Sequence, residues 1–64
     1  MVKINGTFYD IAGQTLSDYL VQAGYVANRI AVERNGEIIA KTQYDQTVLQ
    51  EGDVLEIVRF MGGG

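Results

Sequence analysis

The sequence predicts an α+β fold in which a mixed sheet of four or five strands packs on one helix. Three features lead to this prediction: two hairpin signals, one amphipathic segment of helical period between them, and a final segment that is apolar at almost every position. A doubly wound fold would need more helices than this. The 64 residues are the length of one small domain.

The first hairpin is predicted around Asn5-Gly6. Asn-Gly favours a two-residue type I′ turn, because both turn positions adopt positive φ. Such a loop pairs Ile4 with Thr7 and Val2 with Tyr9. Alternation along the strands then divides the side chains between two faces. We expect Lys3, Phe8 and Asp10 on the outer face, and a core face that carries Val2, Ile4, Thr7, Tyr9 and Ile11.

The helix is predicted to begin after Thr15. Thr15 can cap the helix, and Asp18 stands where a capping box has its acidic residue. Gly24 is suited to a left-handed stop about two and a half turns later. Apolar residues recur between them with helical spacing. The stripe that faces the core comprises Leu16, Tyr19, Leu20 and Ala23.

A second Asn-Gly pair, Asn35-Gly36, predicts another hairpin over residues 30–39. The turn places Arg34 opposite Glu37, where opposite charges favour a cross-strand pair. Alternation along the two strands again defines a core face. We expect that face to carry Ile30, Val32 and Ile39.

The remaining residues connect this hairpin to the last strand. Tyr44 is expected to pack against the core, residues 47–49 to form a short edge segment, and residues 51–53 to form a turn. Residues 54–60 are apolar at nearly every position, which is typical of an interior strand. A last strand at the centre of the sheet, parallel to the first, completes the β-grasp arrangement.

Three glycines follow the last strand and end the chain. We therefore predict a single β-grasp domain, residues 1–60, and a flexible C-terminal glycine tail, residues 61–64. Without a Cβ, Gly62, Gly63 and Gly64 can enter a channel too narrow for other residues. Four extended residues reach about 13 Å, far enough to bring the Gly64 carboxylate into another protein's active site. That carboxylate needs activation, most simply as an acyl-phosphate or acyl-adenylate; the alternative is a tail without function.

The composition excludes most side-chain chemistry. The chain has no cysteine and no histidine, so it lacks disulfides, thiol nucleophiles, the usual zinc and iron–sulfur ligands, and imidazole acid–base groups. We expect no catalytic residue, no cofactor bound by this chain and no metal.

A net charge of −3 argues against nucleic-acid binding. No apolar run is long enough for a membrane and no targeting pattern is present, so we expect a cytoplasmic protein.

The whole chain resembles the small sulfur carrier proteins of thiamin biosynthesis, a ubiquitin-like β-grasp family. The likeness rests on the first Asn-Gly hairpin and on residues 32–39, 51–53 and 56–64. Each motif alone has low specificity, whereas their order and spacing together are specific. The terminal Gly63 and Gly64 match the family's functional positions, and Met61 stands where valine is more common.

The resemblance implies a protein co-substrate, not an enzyme. A ubiquitin-activating-like adenylyltransferase, using ATP and Mg²⁺, would adenylate Gly64. Sulfur from a relay protein such as cysteine desulfurase would then convert the adenylate to a thiocarboxylate. Thiazole synthase would take that sulfur into the thiazole ring and leave the carboxylate again.

A protein that delivers its tail needs a docking surface beside the tail. Alternation places Val58 and Phe60 on the outer face that also carries Phe8. We predict that Phe8, Val58, Phe60 and Met61 contact a partner. The alternatives are that Phe60 covers the open end of the core or that the register slips by one. The acids Glu51, Asp53 and Glu56 are interpreted as solvated charges or as charges that steer a basic partner.

Rival functions stay open. Within the fold, they are the small subunit of molybdopterin synthase and a ubiquitin-type modifier. In another class is a β-grasp interaction module whose tail is incidental. Deletion of Gly63 and Gly64 separates the classes, because a carrier would lose its function and an interaction module would keep it.

Overall fold

One α-helix packs on a five-stranded mixed sheet in the computed structural model, which describes residues 1–60. The helix α1 spans Leu16–Ala23, and short 3-10 helices span Ala27–Arg29 and Lys41–Gln43. The strand order is β2-β1-β5-β3-β4, with β5 parallel to β1 and antiparallel to β3. This confirms the α+β, β-grasp prediction. The strands are β1 (Val2–Ile4), β2 (Thr7–Tyr9), β3 (Ile30–Arg34), β4 (Glu37–Ile39) and β5 (Val54–Arg59).

Both Asn-Gly turns form as predicted. The φ angles of Asn5 and Asn35 are 50° and 52°, and the glycines after them have φ of 85° and 88°. The first turn places Ile4 opposite Thr7. The second gives β3 and β4 the predicted register. Positive φ at both central positions is what a two-residue hairpin turn requires, and it matches the twist of the strands on either side.

Helix α1 begins and ends at the predicted residues. The side-chain oxygen of Thr15 accepts a hydrogen bond from the Asp18 N–H at 3.1 Å. Gly24 is left-handed, with φ of 83°, and closes the last turn. Ala23, predicted in the core stripe, is exposed; Tyr25, just past the stop, packs against the core. No helix within residues 1–60 has the length and apolarity that crossing a membrane requires.

The core lies between α1 and the inner face of the sheet. Tyr44 is buried there, as predicted. Residues 47–49 make one isolated bridge, from Val48 to Thr15, instead of an edge strand, and Leu49 is fully buried. The buried apolar residues are Val2, Ile4, Leu16, Tyr19, Leu20, Ile30, Val32, Tyr44, Leu49, Leu55 and Ile57.

The edge strand β2 contributes less to the core than predicted. All three of its residues are exposed, including Thr7 and Tyr9, which were expected on the core face. Tyr9 still points toward the helix side, where its ring centroid lies 5.8 Å from that of Tyr19. An edge strand has a neighbour on one side alone, so its side chains receive less cover than those of β1 or β5.

Candidate functional site

Strand β5 leads directly toward the glycine tail and is held on both sides. Strand β1 pairs with residues 54–55, and β3 pairs with residues 55–59. Leu55 and Ile57 anchor the strand in the core. Pairing continues one residue beyond β5, where the Phe60 N–H donates to the carbonyl oxygen of Arg29 at 3.0 Å. The residue before the tail is therefore fixed to the sheet.

Each turn asparagine also bonds to β5. The amide nitrogen of Asn5 donates to the Ile57 carbonyl at 3.0 Å, and its amide oxygen accepts from the Ile57 N–H at 2.8 Å. Asn35 holds Val54 in a related way: its side-chain oxygen accepts from the Val54 N–H at 2.9 Å, and its own N–H donates to the Val54 carbonyl at 2.8 Å. Sequence reasoning identified these asparagines as turn residues alone, because no local pattern shows which strand a turn faces.

Asp53 is the buried acid of this region, and its interpretation as a solvated charge is wrong. Only 6% of the surface of Asp53 is exposed. One carboxylate oxygen accepts from Arg34 Nε and the Gln50 N–H, each at 2.9 Å, and the other accepts from Asn35 Nδ2 at 3.2 Å. Arg34, although opposite Glu37 in the register, directs its guanidinium to Asp53.

These hydrogen bonds set the ionisation of Asp53. Burial, the largest single influence, raises the pKa, but the bonds from Gln50, Asn35 and Arg34 and the Arg34 charge together hold the pKa below its ordinary value. Burial raises the pKa of Tyr19 to about 12, with further contributions from Tyr9 and Tyr25. Near neutral pH, Asp53 is therefore ionised and Tyr19 is protonated, which is the usual state of both groups.

The predicted docking residues in the described part are exposed on the outer face, at 62% for Phe8, 54% for Val58 and 39% for Phe60. Val58 and Phe60 lie close to the start of the tail. Phe8 lies at the other end of the face, because it pairs with Lys3, which in turn pairs with Val54. Val54 and Val58 are four residues apart, or about 13 Å along a strand. Phe8 is thus separate from the apolar surface beside the tail.

The other predicted site residues, Met61, Gly62, Gly63 and Gly64, lie outside the described residues. Within residues 1–60, no three Asp or Glu side chains come close enough to hold a metal ion. The described part of the site is therefore a rigid strand end with an exposed apolar surface beside it. Such an arrangement is suited to presenting a terminus to another protein.

A family model and several known proteins match most of this chain. The model of the ThiS family matches residues 2–64. A thiazole synthase of Magnetococcus marinus is 39% identical over 64 residues, a match that covers 98% of this chain and 20% of the synthase. The sulfur carrier protein ThiS of Bacillus subtilis is 44% identical over 50 residues, covering 78% of this chain and 76% of that protein. The chain spans a fifth or less of the two thiazole synthases that it matches.

A solved structure agrees with these sequence matches. The crystal structure of the thiamine biosynthesis protein ThiS from Geobacter metallireducens superposes on this chain with a TM-score of 0.77 and 30% sequence identity. The superposition covers 98% of this chain and 97% of that one. The two chains therefore share one fold over almost their whole length.

Proposed function

Because the chain belongs to the ThiS family, whose members include sulfur carriers of thiamin biosynthesis, we propose that its sulfur travels as a thiocarboxylate on Gly64. The observation that carries this proposal is the extent of the family match, which runs through residue 64 and so includes the terminal glycine. The place of β5 supports it, since the central strand presents the tail from a fixed base.

The proposed chemistry takes place in two steps on the terminal carboxyl group. In the first, a carboxylate oxygen of Gly64 attacks the α-phosphorus of ATP, and pyrophosphate leaves. In the second, the outer sulfur of a persulfide on a relay protein such as cysteine desulfurase attacks the acyl carbon, the bond between that carbon and the AMP oxygen breaks, and AMP leaves. A thiol then attacks the S–S bond of the resulting acyl disulfide, which releases the thiocarboxylate and leaves a disulfide on the relay side. The adenylyltransferase supplies the catalytic groups and the Mg²⁺, and the carrier is its co-substrate.

Thiazole synthase is the proposed acceptor of the sulfur. Two thiazole synthases contain a stretch similar to 98% and 83% of this chain, so a carrier-like sequence and a synthase occur in one polypeptide. Domains joined in this way commonly act on one another, and this supports a direct transfer from Gly64 to the synthase. The relatives named for thiamin biosynthesis also favour this pathway over the molybdopterin and modifier alternatives. We place the transfer in the cytoplasm, where ATP is available.

The thiocarboxylate can be tested with a thiol-selective label. After incubation with a thiamin-pathway adenylyltransferase, ATP and a sulfur donor, we expect the label on the C-terminal peptide, and none when ATP is omitted. Intact mass alone would mislead, because replacing oxygen with sulfur adds almost the same mass as oxidising Met1 or Met61. An unlabelled C-terminal peptide, with an enzyme that thiolates another carrier in parallel, would contradict the proposal.

We further propose that Val58 and Phe60, with Met61, dock on these partners. Truncating a central hot-spot side chain of an interface costs more than about 1 kcal/mol, or about fivefold in affinity. We expect Phe60→Ala and Val58→Ala to weaken binding by at least this factor. Binding to the adenylyltransferase or the synthase can be measured by calorimetry.

The matched control for Val58→Ala is Val21→Ala. Val21 is also a highly exposed valine, but it lies on α1 and so on the other side of the sheet. Its truncation should leave affinity unchanged. Phe8→Ala should matter only for a partner that covers the whole outer face. Equal affinities for Val58→Ala, Phe60→Ala and Val21→Ala, in folded proteins, would show that docking lies elsewhere.

A further inference from the structure

Three of the five cationic side chains in the sequence lie at the end of the molecule where the tail begins. Arg59 is the last residue of β5. The carbonyl oxygen of Arg29 accepts from the Phe60 N–H at 3.0 Å. Lys41 Nζ donates to the side-chain oxygen of Asn28, the neighbour of Arg29. We refer to Arg29, Lys41 and Arg59 as the basic patch.

Within residues 1–60, no acidic side chain forms an ion pair with the basic patch. The segments that form this end, residues 24–31, 40–43 and 57–60, contain neither Asp nor Glu. The ion pairs within residues 1–60 join the Met1 amino group to Glu51 and Arg34 to Asp53. All three patch residues are exposed. Their charges are therefore directed into solvent.

The rest of the molecule has the opposite charge. It contains all eight acidic side chains and two cations. One of these, Arg34, is in the ion pair with Asp53. The other, Lys3, pairs with Val54 at the far end of β5. The net charge of −3 is thus unevenly distributed. The end at the tail is positive, and the rest of the molecule, which we call the negative body, carries the acidic side chains.

Arg59 is held in place without losing its charge. Its guanidinium carbon lies 4.5 Å from the centroid of the Tyr25 ring, a cation–π contact. The backbone of Arg59 pairs with Ile30. A ring orders the side chain but does not neutralise it as a carboxylate would. The cation is therefore preorganised for a partner that brings the opposite charge.

The length of the tail requires a partner to approach this end closely. Four residues span at most about 13 Å, so a channel that admits Gly64 must have its entrance against the base of the tail. Glycines offer no side chains for recognition, so the surrounding surface must supply it. Val58 and Phe60 provide an apolar centre, and the basic patch borders it, as in interfaces with an apolar core and a polar rim.

We propose that the basic patch binds acidic side chains around the channel entrance of the adenylyltransferase, an inference that rests on the proposed function. The negative body is repelled by the same acidic entrance. Attraction at one end and repulsion elsewhere orient the carrier with its tail toward the channel before contact. The proposed partner surface is therefore acidic, whereas the negative net charge of this chain alone would indicate a basic partner.

Matched charge removals test this proposal in the ATP–pyrophosphate exchange assay. Arg29→Gln, Lys41→Gln and Lys3→Gln change the net charge equally, and Arg59 is left intact because it also contacts Tyr25. At low ionic strength we expect the two patch variants to raise the KM for the carrier by about three- to tenfold, with kcat within about twofold. At 0.5 M salt the difference should largely disappear, because the charges are then screened. Lys3→Gln should resemble the unchanged chain throughout.

Zero-length crosslinking provides a direct readout of the partner's charge. Lys3 and Lys41 are the two lysines of the chain, and a carbodiimide joins a lysine to a carboxylate that touches it. We expect crosslinks from Lys41 to Asp or Glu of the adenylyltransferase, and their loss in Lys41→Arg. Crosslinks from Lys3 in place of Lys41 would overturn the proposal.

The exchange assay distinguishes a missing acidic entrance from a missing carrier function. If the unchanged chain supports exchange and both patch variants behave like Lys3→Gln, the proposal of an acidic channel entrance is wrong. The proposed carrier function is then unaffected. If the unchanged chain supports no exchange, the proposed function fails, and the basic patch proposal fails with it.

Discussion

Removal of Gly64 alone is expected to reduce ATP–pyrophosphate exchange by at least about 100-fold. The shortened chain still ends in a glycine carboxylate, but that group is retracted by about 3.3–3.6 Å from its place in the active site. A misplacement of about 1 Å can already cost 100-fold in rate. The loss should appear in kcat, because the surface around the tail still binds.

The exchange assay compares the intact chain, the chain lacking Gly64, and a chain extended by one glycine. We expect the extended chain to fail as well, because its carboxylate no longer stands at the same distance from β5. Thermal unfolding serves as the control and should be the same for all three, since the changes lie beyond the residues that pack in the core. Full exchange by the shortened chain would mean that adenylation does not require the carboxylate at this distance from β5, and would contradict the predicted role of Gly64.

Asp53→Ala is expected to cause a large loss of stability, about 3 kcal/mol, the low end of the range for breaking a buried ion pair. The substitution leaves the Gln50 N–H and the Asn35 amide without their acceptor, and Arg34 retains its bond to the Val48 carbonyl. The low end applies because the Arg34 side chain is 29% exposed and water can reach it. For a small domain this is a considerable part of the total free energy of unfolding.

Urea unfolding measures this loss, with Glu51→Ala as the matched control. Glu51 is another acid of the same turn, and its ion pair with the Met1 amino group is largely exposed. Exposed pairs contribute little, so Glu51→Ala should leave the free energy of unfolding nearly unchanged. Similar values for the two variants would mean that the Asp53 hydrogen bonds do not stabilise the fold.

The stability that Asp53 supplies should also depend on pH. Its pKa in the folded protein is lower than the ordinary value, which describes the unfolded chain. Its contribution is therefore fully present above the unfolded pKa of about 3.9 and is lost as the pH falls through the folded pKa. The stability of the unchanged protein should decline below about pH 4, and Asp53→Asn should lack this part of the decline.

Features determined by neighbours in the chain were predictable from the sequence. Positive φ at Asn5 and Asn35, the cap at Thr15 and the stop at Gly24 each depend on a few adjacent residues. The interior place of β5 also followed from its composition. A strand that is apolar at almost every position belongs in the interior of a sheet. The rules for connections between consecutive strands then allow few positions for it.

Features determined by distant contacts were not predictable in the same way. The environment of Asp53 depends on Arg34, 19 residues earlier in the chain, and on the register that brings β3 to β5. The charge pattern of the sequence predicted that Arg34 pairs with Glu37, because such a pattern relates only residues that are close together in the chain. Phe8 was correctly assigned to the outer face, but its distance from the tail depends on how far along β5 the short strand β1 pairs.

The bonding of β5 has a mechanical consequence for the proposed function, in which a partner would hold the chain by its tail. A partner that draws the tail into a channel pulls along the axis of β5, between parallel β1 and antiparallel β3. Force in this direction loads the hydrogen bonds of both ladders in shear, all at once, whereas a strand pulled sideways from an edge would release them one by one. The amides of Asn5 and Asn35 add bonds to Ile57 and Val54 that share the same load. A pull along the tail is therefore resisted by the bonds of both ladders and of the two asparagine amides together.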